Sequence, residues 1–202
     1  SRLLVVAWNA GELATANAFA AALGLPWDVL LLSGAVSGGC SAEKALLTSL
    51  DEPPLAEALA ENLVPLVNGY SHIASASTMR GKDGLFRLAG LIDAATVTDV
   101  VAIESIQRFR RPMVAGAVIA TVETISEPVV LTYRVSAFKP IDVLGSPQTE
   151  TLGWSSSGST TRLSSTQRTG ARPDLGTAKV VVSGGRPLKD AETYERLVGG
   201  LA

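Results

Sequence analysis

A chain of 202 residues and 20.9 kDa has room for one domain of ordinary size, or one domain and part of another, but not for two large ones. Hydrophobic residues make up 47% and charged residues 18%, with a mean hydropathy of +0.29, which excludes global disorder. Seventeen Lys and Arg against nineteen Asp and Glu leave a net charge of −2, which disfavours nucleic acid as a partner, while a single cysteine, Cys40, and a single histidine, His72, exclude an internal disulfide and a Cys/His metal cluster.

In chain order, Leu3 to Trp8 is a continuous apolar run closed by Asn9-Ala10-Gly11, the pattern of a central strand buried on both faces of a parallel sheet. Leu13, Ala16, Phe19, Ala20 and Leu23 follow at helical spacing and stop at Gly24 and Pro26. Trp27 to Ser33 repeats the strand signal, Gly34 to Gly39 is a loop, and a short helix is expected from near Ser41. Pro53 and Pro54 fit the first turn of a helix whose face carries Leu55, Leu59, Leu63 and Leu66. Tyr70 to Ser75 reads as a third strand. The stripe Leu85, Leu88, Ala89 and Ile92 reads as a helix capped by Ser77, Thr78 or Asp83 and ended by Asp93.

From Val97 the pattern turns β-rich, at Val100 to Ile103, Ala115 to Val122 and Val129 to Val135, with no helix long enough for a crossover, so antiparallel or mixed pairing is expected. Between Gly145 and Thr169, thirteen of twenty-five residues are Ser or Thr, which predicts a linker or surface loop. Lys179 to Ser183 then reads as a strand, Gly184-Gly185-Arg186 as a tight turn and Asp190 to Leu201 as a helix. The expected architecture is α/β: a three-layer αβα domain over 1–144 with a mostly parallel sheet and β-rich additions, a Ser/Thr-rich linker or loop over 145–177, and over 178–202 the first βα unit of a second domain. The apolar opening is only about six residues and no later run approaches the roughly 18 needed for a membrane span. A soluble protein of a reducing compartment, with no membrane insertion, is the expectation.

Three stretches resemble the α subunit of the electron transfer flavoprotein. They are Tyr70-Ser71-His72-Ile73 with Gly81-Lys82-Asp83 and Arg87-Leu88-Ala89, then Arg111-Pro112-Met113-Val114-Ala115-Gly116-Ala117 leading into Ala120-Thr121-Val122, and finally Val181-Val182-Ser183-Gly184-Gly185-Arg186-Pro187-Leu188-Lys189. Ala117 departs from the family's Asn, and Pro187 from its Gly. The resemblance implies an electron carrier that, with a β subunit and FAD, passes electrons from acyl-CoA dehydrogenases to a quinone oxidoreductase in a bacterial cytoplasm or mitochondrial matrix. It also implies that residues 178–202 open a truncated FAD-binding domain. The family's other flavin-contacting segments are not found in the chain, so FAD is expected in the full-length heterodimer and not on these residues alone.

The chemistry-bearing residues are few. Gly184-Gly185-Arg186 reads from its residue types either as a plain βα turn or as an anion cradle at a helix start, and the resemblance places an FAD contact on the arginine. The Gly34 to Gly39 loop matches neither the dinucleotide fingerprint nor the P-loop. It is read as a plain loop, and an adenine-nucleotide-binding αβα enzyme or sensor using it is the alternative function. His72 and Cys40 read as structural, though a helix start after Gly39 would lower the thiol pKa. Arg108-Phe109-Arg110-Arg111 reads as a charge-guarded strand edge or a patch for an acidic partner, and a hydrophobic face near Phe109 to Val122 as a contact for the β subunit. No carboxylate pair has the spacing of an acid/base couple, so no catalytic site is expected.

Overall fold

The computed structural model describes residues 1–36, 38–156, 158–166, 175, 178 and 180–201. They form two compact units, Ser1–Arg162 and Leu163–Ala202.

In the larger unit, strands β1 (Leu3–Ala7), β2 (Trp27–Leu31), β3 (Lys44–Thr48), β4 (His72–Ala76) and β5 (Ala95–Val100) belong to one sheet with β9 (Val129–Tyr133) and β10 (Gln148–Leu152). The order is β10-β3-β2-β1-β4-β9-β5, and every pairing is parallel. β1 is central, as its uninterrupted apolar run predicts. Its Leu3, Val5 and Ala7 enter the core beneath α1 (Leu13–Leu23), while Leu4 and Val6, with Trp8 just beyond the strand, enter the opposite core beneath α2 (Ala56–Leu66) and α3 (Met79–Leu91). This is the three-layer αβα arrangement, in which strands buried on both faces need no polar alternation. Gly24 ends α1 in the left-handed region at φ 73°, and the Thr78 side chain caps α3 by accepting from the Gly81 N–H.

Several expectations are corrected. The helix expected from near Ser41 is β3, because Ala45 and Leu46 are buried in opposite cores, a demand that sheet pairing meets and that overrides the helix propensity of Ala, Lys and Leu. Pro53 and Pro54 precede the helix rather than open it, since Leu55 is its N-cap. β9 is a parallel interior strand between β4 and β5. The antiparallel pairing expected after Val97 is confined to a separate three-stranded sheet of β6 (Ala102–Ile103), β7 (Arg108–Met113) and β8 (Val118–Glu123), which replaces a crossover helix between β5 and β9. The arginine-rich run is therefore the middle strand of that sheet and not an edge, with Phe109 fully buried beneath it. The Ser/Thr-rich stretch contains β10, because an edge strand is held by backbone hydrogen bonds that leave no hydrophobic signature.

In the smaller unit, Lys179 lies outside the described residues, and Val180 to Ser183 form no strand; Val180 and Val181 are exposed, and no strand among the described residues pairs with their backbone. The terminal helix α4 spans Ala191–Leu197, followed by a 3-10 turn at Gly199–Leu201.

Candidate functional site

Gly184, Gly185 and Arg186 lie together in the smaller unit. The Leu188 N–H donates to the Gly185 carbonyl at 3.0 Å, closing the turn. A Cβ on Gly184 would overlap Leu188 Cδ1, the tip of a half-buried side chain that would have to turn aside, so the space here is tight without being closed to a side chain. Arg186 is exposed and has no hydrogen bond or ion pair among the described residues. The first turn of α4 is already capped, Asp190 accepting from the Thr193 N–H at 2.7 Å, so the helix itself offers little to an anion. What the turn presents is a free guanidinium, a fork able to grip a carboxylate or phosphate oxygen pair.

The Gly34 to Gly39 loop follows β2, and its described part is engaged internally. The fully buried Asn17 on α1 donates to the Gly39 carbonyl at 2.8 Å and accepts from the Ser41 N–H at 3.1 Å. Asn17 has no motif around it, and only its amide among the mostly apolar residues of α1 marks it. Cys40 is buried and no helix begins beside it; burial pushes its thiol pKa up, not down.

His72 is fully buried at the start of β4, and it bolts the main sheet to the small one. Its Nε2 lies 2.7 Å from the Ile106 carbonyl, which can only accept, so Nε2 carries the proton and Nδ1 accepts from the Ser71 hydroxyl at 2.8 Å. Burial lowers its pKa, against a smaller opposing effect of the Ile106 bond. A histidine whose native pKa lies below its unfolded value near 6.5 stabilises the fold fully only above that pH, and the contribution is lost as pH falls below it. With one histidine in the chain, a single imidazole resonance reports this directly. Its NMR titration midpoint is expected below 6.5, and a midpoint above 6.5 would contradict the neutral, doubly bonded ring.

At the carboxyl ends of β4, β5 and β9, where open α/β sheets place ligands, lies a polar cluster that sequence reasoning missed. Asp99 sits in a register shift between β5 and β9 at φ 54°. It accepts from the Ser77 hydroxyl and from Lys82 Nζ at 3.0 Å, while its own N–H donates to Thr132 Oγ1 at 3.1 Å. Burial opposes its ionisation, but the Ser77 and Lys82 bonds outweigh this and hold its pKa below the usual carboxylate range. Beside it runs a groove of about 510 Å³ lined by Asp99, Arg111, Arg134 and the turn from Pro112 to Gly116. In that turn Val114, Ala115 and Gly116 are all left-handed, at φ 50°, 52° and 89°. Such backbone costs about 1–2 kcal/mol per non-glycine residue, most for a branched one like Val114. An acidic residue at a strand's end was the only available sign of Asp99; Arg134 had none. Among the described residues, no group of three His, Cys, Asp or Glu side chains converges to hold a metal ion, and no helix is long and apolar enough to cross a membrane.

The model of the electron transfer flavoprotein domain family matches residues 36–157. The mitochondrial electron transfer flavoprotein subunit alpha of Oryza sativa subsp. indica is 39% identical over 155 residues, which cover 71% of this chain and 43% of that protein. The electron transfer flavoprotein subunit alpha of Pseudomonas aeruginosa is 30% identical over 197 residues, 91% of this chain and 64% of that protein. Its counterpart in Paracoccus denitrificans is 34% identical over 193 residues, 90% and 62% respectively. The chain spans from 43% to 64% of the length of these relatives.

Proposed function

Because this chain belongs to the electron transfer flavoprotein alpha-subunit family, we propose that it serves as the scaffold-bearing part of an electron carrier, a subunit that joins a β subunit and, in the full-length heterodimer, FAD. The observation that carries the reading is the turn at Gly184-Gly185-Arg186: two glycines that leave the backbone bare, followed by an exposed, unpaired guanidinium. These residues fit a cofactor contact, Arg186 holding a cofactor oxygen by its fork and the Gly184-Gly185 backbone allowing close approach. FAD, when bound, supplies the carriage of electrons. The unit Ser1–Arg162 acts as the platform, its role being to bury a face against the β subunit. Met113, Val114, Val118 and Ile119, all exposed on the hairpin of β7 and β8, support that choice of face.

No catalytic site of its own is assigned. The lone histidine is fully buried, with its Nε2 held by the Ile106 carbonyl in place of a carboxylate, which is not the arrangement of a triad base. Redox partners of the acyl-CoA dehydrogenase and quinone oxidoreductase types, and a bacterial cytoplasm or mitochondrial matrix, complete the reading; two of the relatives cited above are bacterial and one is called mitochondrial.

The full-length subunit that contains this chain, co-expressed with its β subunit, is expected to purify as a yellow complex, and Arg186→Ala to weaken FAD retention about tenfold, the worth of one charge-assisted hydrogen bond. A colourless complex whose melting temperature rises with ATP would overturn the reading in favour of nucleotide binding at the Gly34 to Gly39 loop.

A further inference from the structure

We propose that the groove between Asp99 and the Pro112 to Gly116 turn receives a carboxylate presented by the β subunit, gripped between Arg111 and Arg134; this rests on the heterodimer reading above. Neither arginine has an ion-pair partner among the described residues, although Arg108 on the same strand is flanked by Glu104 and Glu123 at 3.8 and 3.9 Å. Arg111 donates to Thr98 Oγ1 through Nη2, yet its Nε is buried with no acceptor, an unsatisfied donor of the kind folded proteins avoid. Asp99, the one acid lining the groove, is already neutralised by Lys82 and hydrogen-bonded by Ser77. Two guanidinium charges therefore remain uncompensated, and their forked donors match a carboxylate.

The rim argues for a protein carboxylate over a free ion. Met113 and Val114 are 45% and 74% exposed, and Val118 and Ile119 are 50% and 46% exposed on the same hairpin. An apolar rim beside a charged pocket suits a partner that brings an acidic residue flanked by apolar ones, with the apolar contact excluding water from the ion pair. The left-handed run at Val114, Ala115 and Gly116 keeps that rim at the mouth of the groove despite its backbone strain, as binding turns often do.

The test is the affinity of the full chain for its β subunit. Arg111→Gln with Arg134→Gln is expected to weaken binding at least tenfold and to flatten its salt dependence, and Arg134→Gln alone to weaken it several-fold. Arg134 is exposed, so its variant should melt as the wild type does, which keeps loss of binding distinct from loss of folding. Wild-type protein that fails to bind the β subunit would sink the heterodimer reading itself. Wild-type protein that binds, with both variants binding equally well, would overturn this inference alone. So would unchanged subunit binding accompanied by arginine-dependent binding of inorganic phosphate, since the groove would then serve a free oxyanion.

Discussion

Replacing Asp28 by alanine is expected to remove about 3–5 kcal/mol of stability, the cost of stripping one partner from a buried ion pair. Asp28, 2% exposed at the start of β2, accepts from Arg2 Nε at 2.8 Å and Nη2 at 2.7 Å, from the Tyr70 hydroxyl at 2.7 Å and from the Lys44 N–H at 3.0 Å. Arg2 also reaches Glu43 at 2.7 Å. The network ties together the amino ends of β3, β2, β1 and β4, the four neighbouring strands at the middle of the sheet. Burial alone would discourage ionisation of Asp28, but the bonds from Arg2 and Tyr70 prevail and hold its pKa below the ordinary value. Its contribution is therefore full above the unfolded carboxylate pKa near 3.9 and lost as pH falls through the lower native value. Urea unfolding at neutral pH should show the full loss in the variant, and the wild-type advantage should shrink below about pH 4. A loss under 1 kcal/mol would mean that the network is incidental.

Gly81→Ala should be the next most damaging change, at about 3 kcal/mol. This glycine lies in the first turn of α3, where the helix is seated on the end of β4. An added Cβ would overlap the Ala76 carbonyl oxygen and stand 2.5 Å from Ser75 Oγ. A backbone carbonyl at a strand end cannot retreat as the tip of a flexible side chain can. Gly90, on the same helix, meets nothing within 4 Å, so Gly90→Ala should stabilise by about 0.5–1 kcal/mol through helix propensity alone. Thermal melts of the pair should move in opposite directions, and parallel shifts would contradict the close-approach account.

The three α-helices α1, α2 and α3, together with strands β1 and β4, were legible because burial on one or both faces imposes a spacing that residue type records. His72 was legible as structural for a simpler reason, since no second histidine or nearby thiol existed to give it metal or triad chemistry. β3 and β10 were not legible. Lys44 to Thr48 carries helix-forming residues, and Gln148 to Leu152 is polar, so only their parallel pairing with neighbours far along the chain makes them strands. Arg111 was visible as part of a basic run, but its meeting with Arg134 across a groove depends on β9 entering the sheet beside β5.

By itself the sequence determined the α/β class, the double burial of β1, the glycine stop of α1, and the family resemblance, because each is written in local periodicity or in a short run of consecutive residues. The tertiary structure alone decided the strand order, the parallel insertion of β9, the middle position of the arginine strand, and the convergence of Asp99, Arg111 and Arg134. Those depend on which backbone hydrogen bonds close between distant segments, and backbone groups are the same in every residue, so no side-chain pattern announces them.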